Sequence, residues 1–196
     1  MSYAAIQPPF SLKVREMSMQ ELKDYAKWFF EVIEDRIAEL AKAVTETPGF
    51  ETWRADYTSG SLDLLGEWFS QQVETRPRTS EELKNLQNRL VFPIELADWE
   101  LTNKTFSLAM DIGMYFGQVL KNNHSTLQWE QFIKNKKFAD YGQLVLVGFG
   151  KVPLNPVRII TTLAYGLVDK KRTHKRLKEL YAVWEAMISP ESGSGN

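Results

Sequence analysis

The sequence contains no cysteine. That absence excludes disulfide frameworks, thiolate metal sites and cysteine nucleophiles together. It fits a protein of a reducing compartment such as the bacterial cytoplasm, the expected location. Only two histidines occur, His124 and His174. Neither lies in a His-Glu-x-x-His zinc pattern, and there is no Gly-x-Ser-x-Gly nucleophile elbow for either to serve. No metal and no cofactor is therefore expected. Gly148-Phe149-Gly150-Lys151 lacks the spacing of a phosphate-binding loop and reads as a strand-ending turn. Long hydrophobic runs are missing too. The longest, residues 106–120, is interrupted by Asp111, Gly113 and Gly117 and is too short to span a bilayer. Residues 1–10 lack the basic-then-apolar order of a secretory signal, so neither export nor a membrane partner is expected.

What remains is ordinary globular material. The chain has 196 residues, 43% hydrophobic and 25% charged, enough for one well-filled core. Residues 1–190 read as a single domain, and the Ser-Gly-rich residues 191–196 as a flexible tail or cloning scar. The net charge is −1. Residues 1–100 carry 18 acidic and 11 basic side chains, and residues 101–196 carry 7 and 13. The halves complement each other within one fold, or they form a two-signed surface that steers a charged partner.

Periodicity defines the elements. Phe10, Leu12 and Val14 alternate with polar residues, which predicts a short strand. Ser18 and Glu21 form a capping-box pattern ahead of a helix to about residue 45, with Leu22, Tyr25, Phe29, Ile33, Ile37 and Leu40 on one stripe. Residues 50–60 read as a loop. A second helix follows with Ser61 as its cap, ended by Arg76-Pro77. Thr79 and Glu82 repeat the capping box before a short helix limited by Pro93. Residues 94–99 read as a helix extension or a loop. Residues 102–122 are apolar around most of a helical circumference, which predicts a buried central helix. Its Gly113 and Gly117, four apart, predict close approach by a neighbouring element. Residues 127–133 and 143–149 read as two antiparallel strands, with the N-terminal strand as a third. Asn155-Pro156 starts another helix, and a last one runs from about residue 173. The expected fold is mainly α (α+β): about six helices and a two- or three-stranded antiparallel sheet.

Asp111 is the first candidate for chemistry, because a charge inside so apolar a helix is costly unless paired. Arg158 and Lys104 are the candidate partners for a structural pair. In an active-site role, Asp111 would join Tyr115 and the nearby carboxylates Glu95, Asp98 and Glu100 as a small acid/base or hard-metal site. His124 follows a helix end, where a positive imidazole interacts well with the helix dipole. Lys170, Lys171, Arg172, Lys175, Arg176 and Lys178 form the densest basic run, residues 170–178, suited to phosphates or to a solvated helix face. Trp53 and Tyr57 on the 50–60 loop are binding anchors if exposed and core if buried.

The stretch Asp111-Ile112-Gly113-Met114-Tyr115-Phe116-Gly117-Gln118-Val119-Leu120, with Trp129, Gly148-Phe149 and Asn155-Pro156, resembles small uncharacterised bacterial proteins of the immunity or accessory type, encoded near secreted toxins. The resemblance covers about the second half of the chain and implies a cytoplasmic binding role without catalytic residues. The expected function is non-enzymatic binding of a protein partner through a charged surface, at the 50–60 loop and the acidic first half. The alternatives are a carboxylate-based enzyme around Asp111 and a nucleic-acid binder using residues 170–178.

Overall fold

The computed structural model describes residues 3–88 and 95–188. Pro93, Ile94 and the 191–196 tail lie outside the described residues. The elements in chain order are α1 (Met19–Thr45), α2 (Ser61–Gln72), β1 (Thr75–Pro77), α3 (Ser80–Gln87), β2 (Trp99–Leu101), α4 (Asn103–Asn123), β3 (Gln128–Gln131), β4 (Leu144–Val147), α5 (Pro156–Val168) and α6 (Arg176–Glu185). This is a helical α+β arrangement with two small antiparallel sheets, β1-β2 and β3-β4. Among the described residues, no helix is long and apolar enough to cross a membrane.

α4 is the centre of the molecule. Fourteen of its residues are buried, from Thr105 to Leu120, and it packs against α1, α2, α5 and α6. The closest approach is to α5, and the glycine pair explains it. A Cβ added at Gly113 would lie 2.7 Å from the Val157 Cα, on the α5 backbone. One added at Gly117 would strike the Trp129 indole. The glycines therefore admit a helix backbone on one turn and a β3 side chain on the next.

Both capping boxes form. Ser18 accepts from Glu21 N at 3.3 Å while Glu21 accepts from Ser18 N at 2.7 Å, and Thr79 and Glu82 do the same at 3.1 and 2.8 Å. Asn155 caps α5, accepting from Arg158 N at 3.0 Å, with Pro156 at the first helical position. The expected cap at Ser61 differs. Gly60 takes the N-cap position, and the Ser61 hydroxyl donates to the Thr58 carbonyl at 2.7 Å.

The N-terminal segment does not join a sheet. Leu12 has φ +54°, and Glu16 N closes a turn on the Lys13 carbonyl at 2.8 Å. Phe10 and Val14 lean on the core while Leu12 is exposed, so the alternating residues share no buried face. β1 and β2 pair in register Thr75↔Leu101, Arg76↔Glu100 and Pro77↔Trp99. The segment before the central helix, expected as helix or loop, thus ends in a strand. β3 and β4 pair in register Gln128↔Val147 through Gln131↔Leu144, close to the expected hairpin. Gly148 and Gly150 follow β4 at φ +116° and +82°, the strand-ending turn read from the sequence.

Candidate functional site

Asp111 is completely buried and fully engaged. Its partner is neither Arg158 nor Lys104. Arg158 pairs with Asp140 at 3.1 Å and Lys104 with Glu74 at 2.7 Å. Both hold carboxylates of their own, and the cation that reaches Asp111 comes from α1. Arg36 donates from Nε to Oδ1 at 2.9 Å and from a terminal nitrogen to Oδ2 at 2.6 Å, a bidentate fork. The Tyr3 hydroxyl donates to the same Oδ2. Because that proton is committed to Asp111, the Ser107 hydroxyl is left to donate to Tyr3 Oη, 2.7 Å away. Ser107 accepts from Ile6 N at 2.6 Å, and Arg36 also donates to the Ala4 carbonyl at 2.9 Å. Ala4 N donates to Glu39 at 2.8 Å. Ser107 and Asp111 are one helical turn apart on α4, and Arg36 and Glu39 are nearly so on α1. Together they fasten residues 3–6 across the two helices.

Burial pushes the Asp111 carboxyl above its ordinary range, and the hydrogen bonds from Arg36 and Tyr3 oppose that shift. Burial, followed by the Asp111 charge, pushes the Tyr3 phenol up. The phenol is a donor to the carboxylate and the guanidinium forks onto it, so the cluster is a polar clamp with the Asp111 oxygens committed to two partners.

The other members of the carboxylate constellation are not gathered around Asp111. Tyr115, one turn further along α4, points its hydroxyl at Ser61 Oγ, 2.7 Å away, and accepts from Tyr57 N at 3.1 Å. Glu95 and Asp98 are exposed on the segment leading into β2. The engaged carboxylate there is Glu100, which receives Arg78 at 2.6 Å and the Tyr165 hydroxyl. Among the described residues, no group of three or more His, Asp or Glu side chains could hold a metal ion. The sequence reading missed Tyr3 and Arg36. One signal for Arg36 was available: it stands three residues after Ile33 and four before Leu40, on the border of the buried stripe of α1.

Trp53 is core. It is 3% exposed, and its indole N–H donates to the Ser61 carbonyl at 2.9 Å. It therefore cannot act as the exposed anchor that the 50–60 loop was expected to offer. Tyr57 is half-buried at φ +59°, with its hydroxyl on Glu34 at 3.0 Å and its ring on Tyr115. His124 caps the C-terminal end of α4. Its Nε2 lies 3.2 Å from Tyr181 Oη and 3.1 Å from Glu185 Oε1, which ties α4 to α6.

The basic run divides by position. Arg176 pairs with Glu179 at 3.3 Å, Lys171 with Asp169 at 3.2 Å, and Lys178 with Asp63. Lys175 is exposed, and so is Arg172, whose guanidinium donates to the Lys171 carbonyl at 3.2 Å. Leu177, Leu180 and Tyr181 are the buried face of α6, so the run is a basic turn followed by the outer face of a half-buried helix.

An open concave surface with an exposed aromatic residue on its rim lies elsewhere. A groove of about 670 Å³ runs between α1 and β3, lined by Phe30, Ile33, Gln118, Lys121, Leu127 and Trp129 among others. Phe30 is 46% exposed. The Trp129 indole is pinned edge-on against Phe29, with ring centroids 5.4 Å apart, and donates to Gln118 Oε1 at 3.1 Å. The floor of the groove is thus held by ring packing, and Phe30 on its rim keeps an exposed face while its ring packs edge-on against Phe29, centroids 5.8 Å apart.

No protein-family model, no curated protein and no solved structure matches this chain.

Proposed function

We propose that this is a non-enzymatic binding protein that holds a protein partner, in the manner of the immunity-type proteins that its central helix resembles. The observation that carries the reading is Phe30, a large aromatic side chain nearly half exposed beside a pre-formed groove with a tryptophan floor. Aromatic side chains in such settings supply most of the binding energy at protein interfaces. The carboxylate-based alternative has its central residue, Asp111, consumed in a clamp with Arg36 and Tyr3. The binding surface moves accordingly from the 50–60 loop, where Trp53 is core, to the α1–β3 groove.

The test is capture from native lysate on immobilised wild-type protein and on Phe30→Glu. A stoichiometric protein retained by the first and lost by the second supports the reading. A wild-type column that retains no stoichiometric protein overturns it. The immunity form predicts in addition that the captured protein is toxic when expressed alone and harmless when co-expressed with this chain.

A second reading rests on the basic turn, where Lys170, Arg172 and Lys175 have no carboxylate partner among the described residues. These would contact the phosphates of a nucleic acid. Absence of DNA and RNA binding at low ionic strength removes it.

A further inference from the structure

β3 is an edge strand, and its ladder bonds fix which backbone groups are free. Phe132 N donates to the Gln143 carbonyl at 2.9 Å, in the same register that pairs Gln128 with Val147. In an antiparallel ladder, residues that exchange bonds alternate with residues whose N–H and C=O point the other way. Residues 132, 130 and 128 therefore face β4, and Trp129 and Gln131 turn their backbone groups outward. A second set of bonds fixes the same phase. Leu146, opposite Trp129, turns away from β3 to exchange bonds of 2.7 and 2.9 Å with Leu154. Among the described residues, the N–H and C=O of Trp129 and Gln131 have no hydrogen-bond partner. They sit beside the groove that Leu127, Gln128 and Trp129 line on one side and Phe30 and Ile33 on the other.

The charge around this edge has one dominant sign. Lys121 lines the groove. Lys134, Lys136 and Lys137 follow directly at the end of the strand; all three are exposed, and none forms an ion pair among the described residues. Lys136 stands over the Tyr141 ring, 5.7 Å from its centroid. Against these four lysines stand two carboxylates, Glu130 on β3 and Glu34 on α1, the latter held by the neutral donors Gln118 at 3.2 Å and Tyr57 at 3.0 Å.

Resting on the protein-binding reading above, we propose that the partner supplies an extended acidic segment that adds to β3 as a third strand. The backbone of Trp129 and Gln131 would pair with it, the groove beside Phe30 would take an apolar side chain, and the lysines would meet its carboxylates. Strand addition of this kind draws affinity from the main chain and specificity from alternate side chains.

The experiment is selection of a displayed random 12-residue peptide library on the immobilised full chain. Binding of the selected peptides is then measured on wild type, Gln131→Pro and Phe30→Glu. Proline at 131 removes an outward N–H and leaves the β3-β4 ladder bonds in place. It also removes the Gln131 side-chain bonds to the Leu22 and Gly142 carbonyls, 2.6 and 3.1 Å. Gln131→Ala, expected to bind as wild type does, is therefore the control that loses the side chain alone. Phe30→Glu alters an exposed side chain and is the second variant in case proline disturbs the strand. The expected result is enrichment of acidic peptides with alternating apolar residues. Their affinity falls at least tenfold on Gln131→Pro and on Phe30→Glu, and the Trp129 and Gln131 amides become protected from hydrogen exchange on binding. Enrichment of basic or helix-forming peptides, unchanged affinity for Gln131→Pro, unprotected amides, or a dimer of this chain formed through β3 would each overturn the proposal. If the lysate partner is still captured through Phe30 after any of these, strand addition fails while the binding reading stands.

Discussion

The Asp111 carboxylate and the Arg36 guanidinium meet through two hydrogen bonds, 2.9 and 2.6 Å long, across the α1–α4 interface. The carboxylate is fully buried and the guanidinium side chain is 13% exposed. A charge in that position is tolerable only with its partner in place, because desolvation of a lone carboxylate exceeds what any other nearby group returns. The pair also holds the N-terminal segment through Tyr3 and Ala4, so one contact links α1, α4 and residues 3–6.

Removing one partner should be far worse than removing both. Arg36→Met strands the Asp111 charge and is expected to cost about 3–5 kcal/mol. The double substitution Arg36→Met with Asp111→Leu should recover most of that loss. Urea unfolding of the three proteins checks this, and a double variant no more stable than Arg36→Met would contradict it.

The glycine at 113 is a packing requirement. Alanine would gain about 1 kcal/mol of helix propensity on its own. Its Cβ would lie 2.7 Å from the Val157 Cα, however, and a backbone cannot step aside as a flexible side chain can. Gly113→Ala is expected to destabilise by about 1–3 kcal/mol net. Thermal unfolding measures it, and a variant as stable as the parent would show that α5 sits further from α4.

How much of this was legible beforehand follows from the range of the interactions. α1, α4 and α5 carry their signals locally: Ser18 with Glu21, the unbroken apolar circumference after Thr102, and Asn155 with Pro156. Those features act within one or two turns, so the sequence displays them directly. β1 and β2 are three residues each, too short for alternation to register, and Pro77 argued against a strand except at an edge. The Phe10–Val14 alternation misled for the opposite reason: a strand needs a partner, and this segment is tied down by Ser107, Arg36 and Glu39 side chains instead. Arg36 and Asp111 are 75 positions apart, and nothing local to Asp111 names its cation. Trp53 and Phe30 show the same limit. Trp53 sits among polar residues and is buried, whereas Phe30 follows Trp28 and Phe29 and is exposed, so residue type and neighbours alone do not decide burial.

Lys170 ends α5 in the left-handed region, at φ +55°. Lys170 N bonds to the Leu167 carbonyl at 3.1 Å and Lys171 N to the Gly166 carbonyl at 2.9 Å, the two bonds of a Schellman cap. Glycine is the residue that this position favours. Relief of the left-handed strain, about 1–2 kcal/mol, outweighs the added flexibility of the unfolded chain, about 0.5–1 kcal/mol. Lys170→Gly is expected to raise Tm by about 1–3 °C. Lys170→Ala should give no such gain, which separates backbone strain from loss of the charge.

Glu82 sets the acid response of α3. Its hydrogen bonds to Arg76, then to the Thr79 backbone, hold its carboxyl down at about 2. A carboxyl depressed in the folded state stabilises it above the ordinary carboxylate range and loses that contribution as pH falls toward the folded value. α3 buries none of its residues and leans on this cap. It should therefore fray as pH falls from about 4.5 to about 2, while α4 remains intact. NMR titration of the Glu82 side chain checks it, and high salt should raise its midpoint because the pair is exposed.

The Asp111 clamp, the Gly113 approach to α5 and the Trp129 floor of the groove are all built on α4 as the enclosed core of the molecule. Native-state hydrogen exchange of its backbone amides is the most direct test. Residues 108–120 are expected to exchange only through global unfolding, with the slowest rates in the chain. Exchange of those amides at the rate of the exposed 134–138 loop would contradict the architecture and the groove with it.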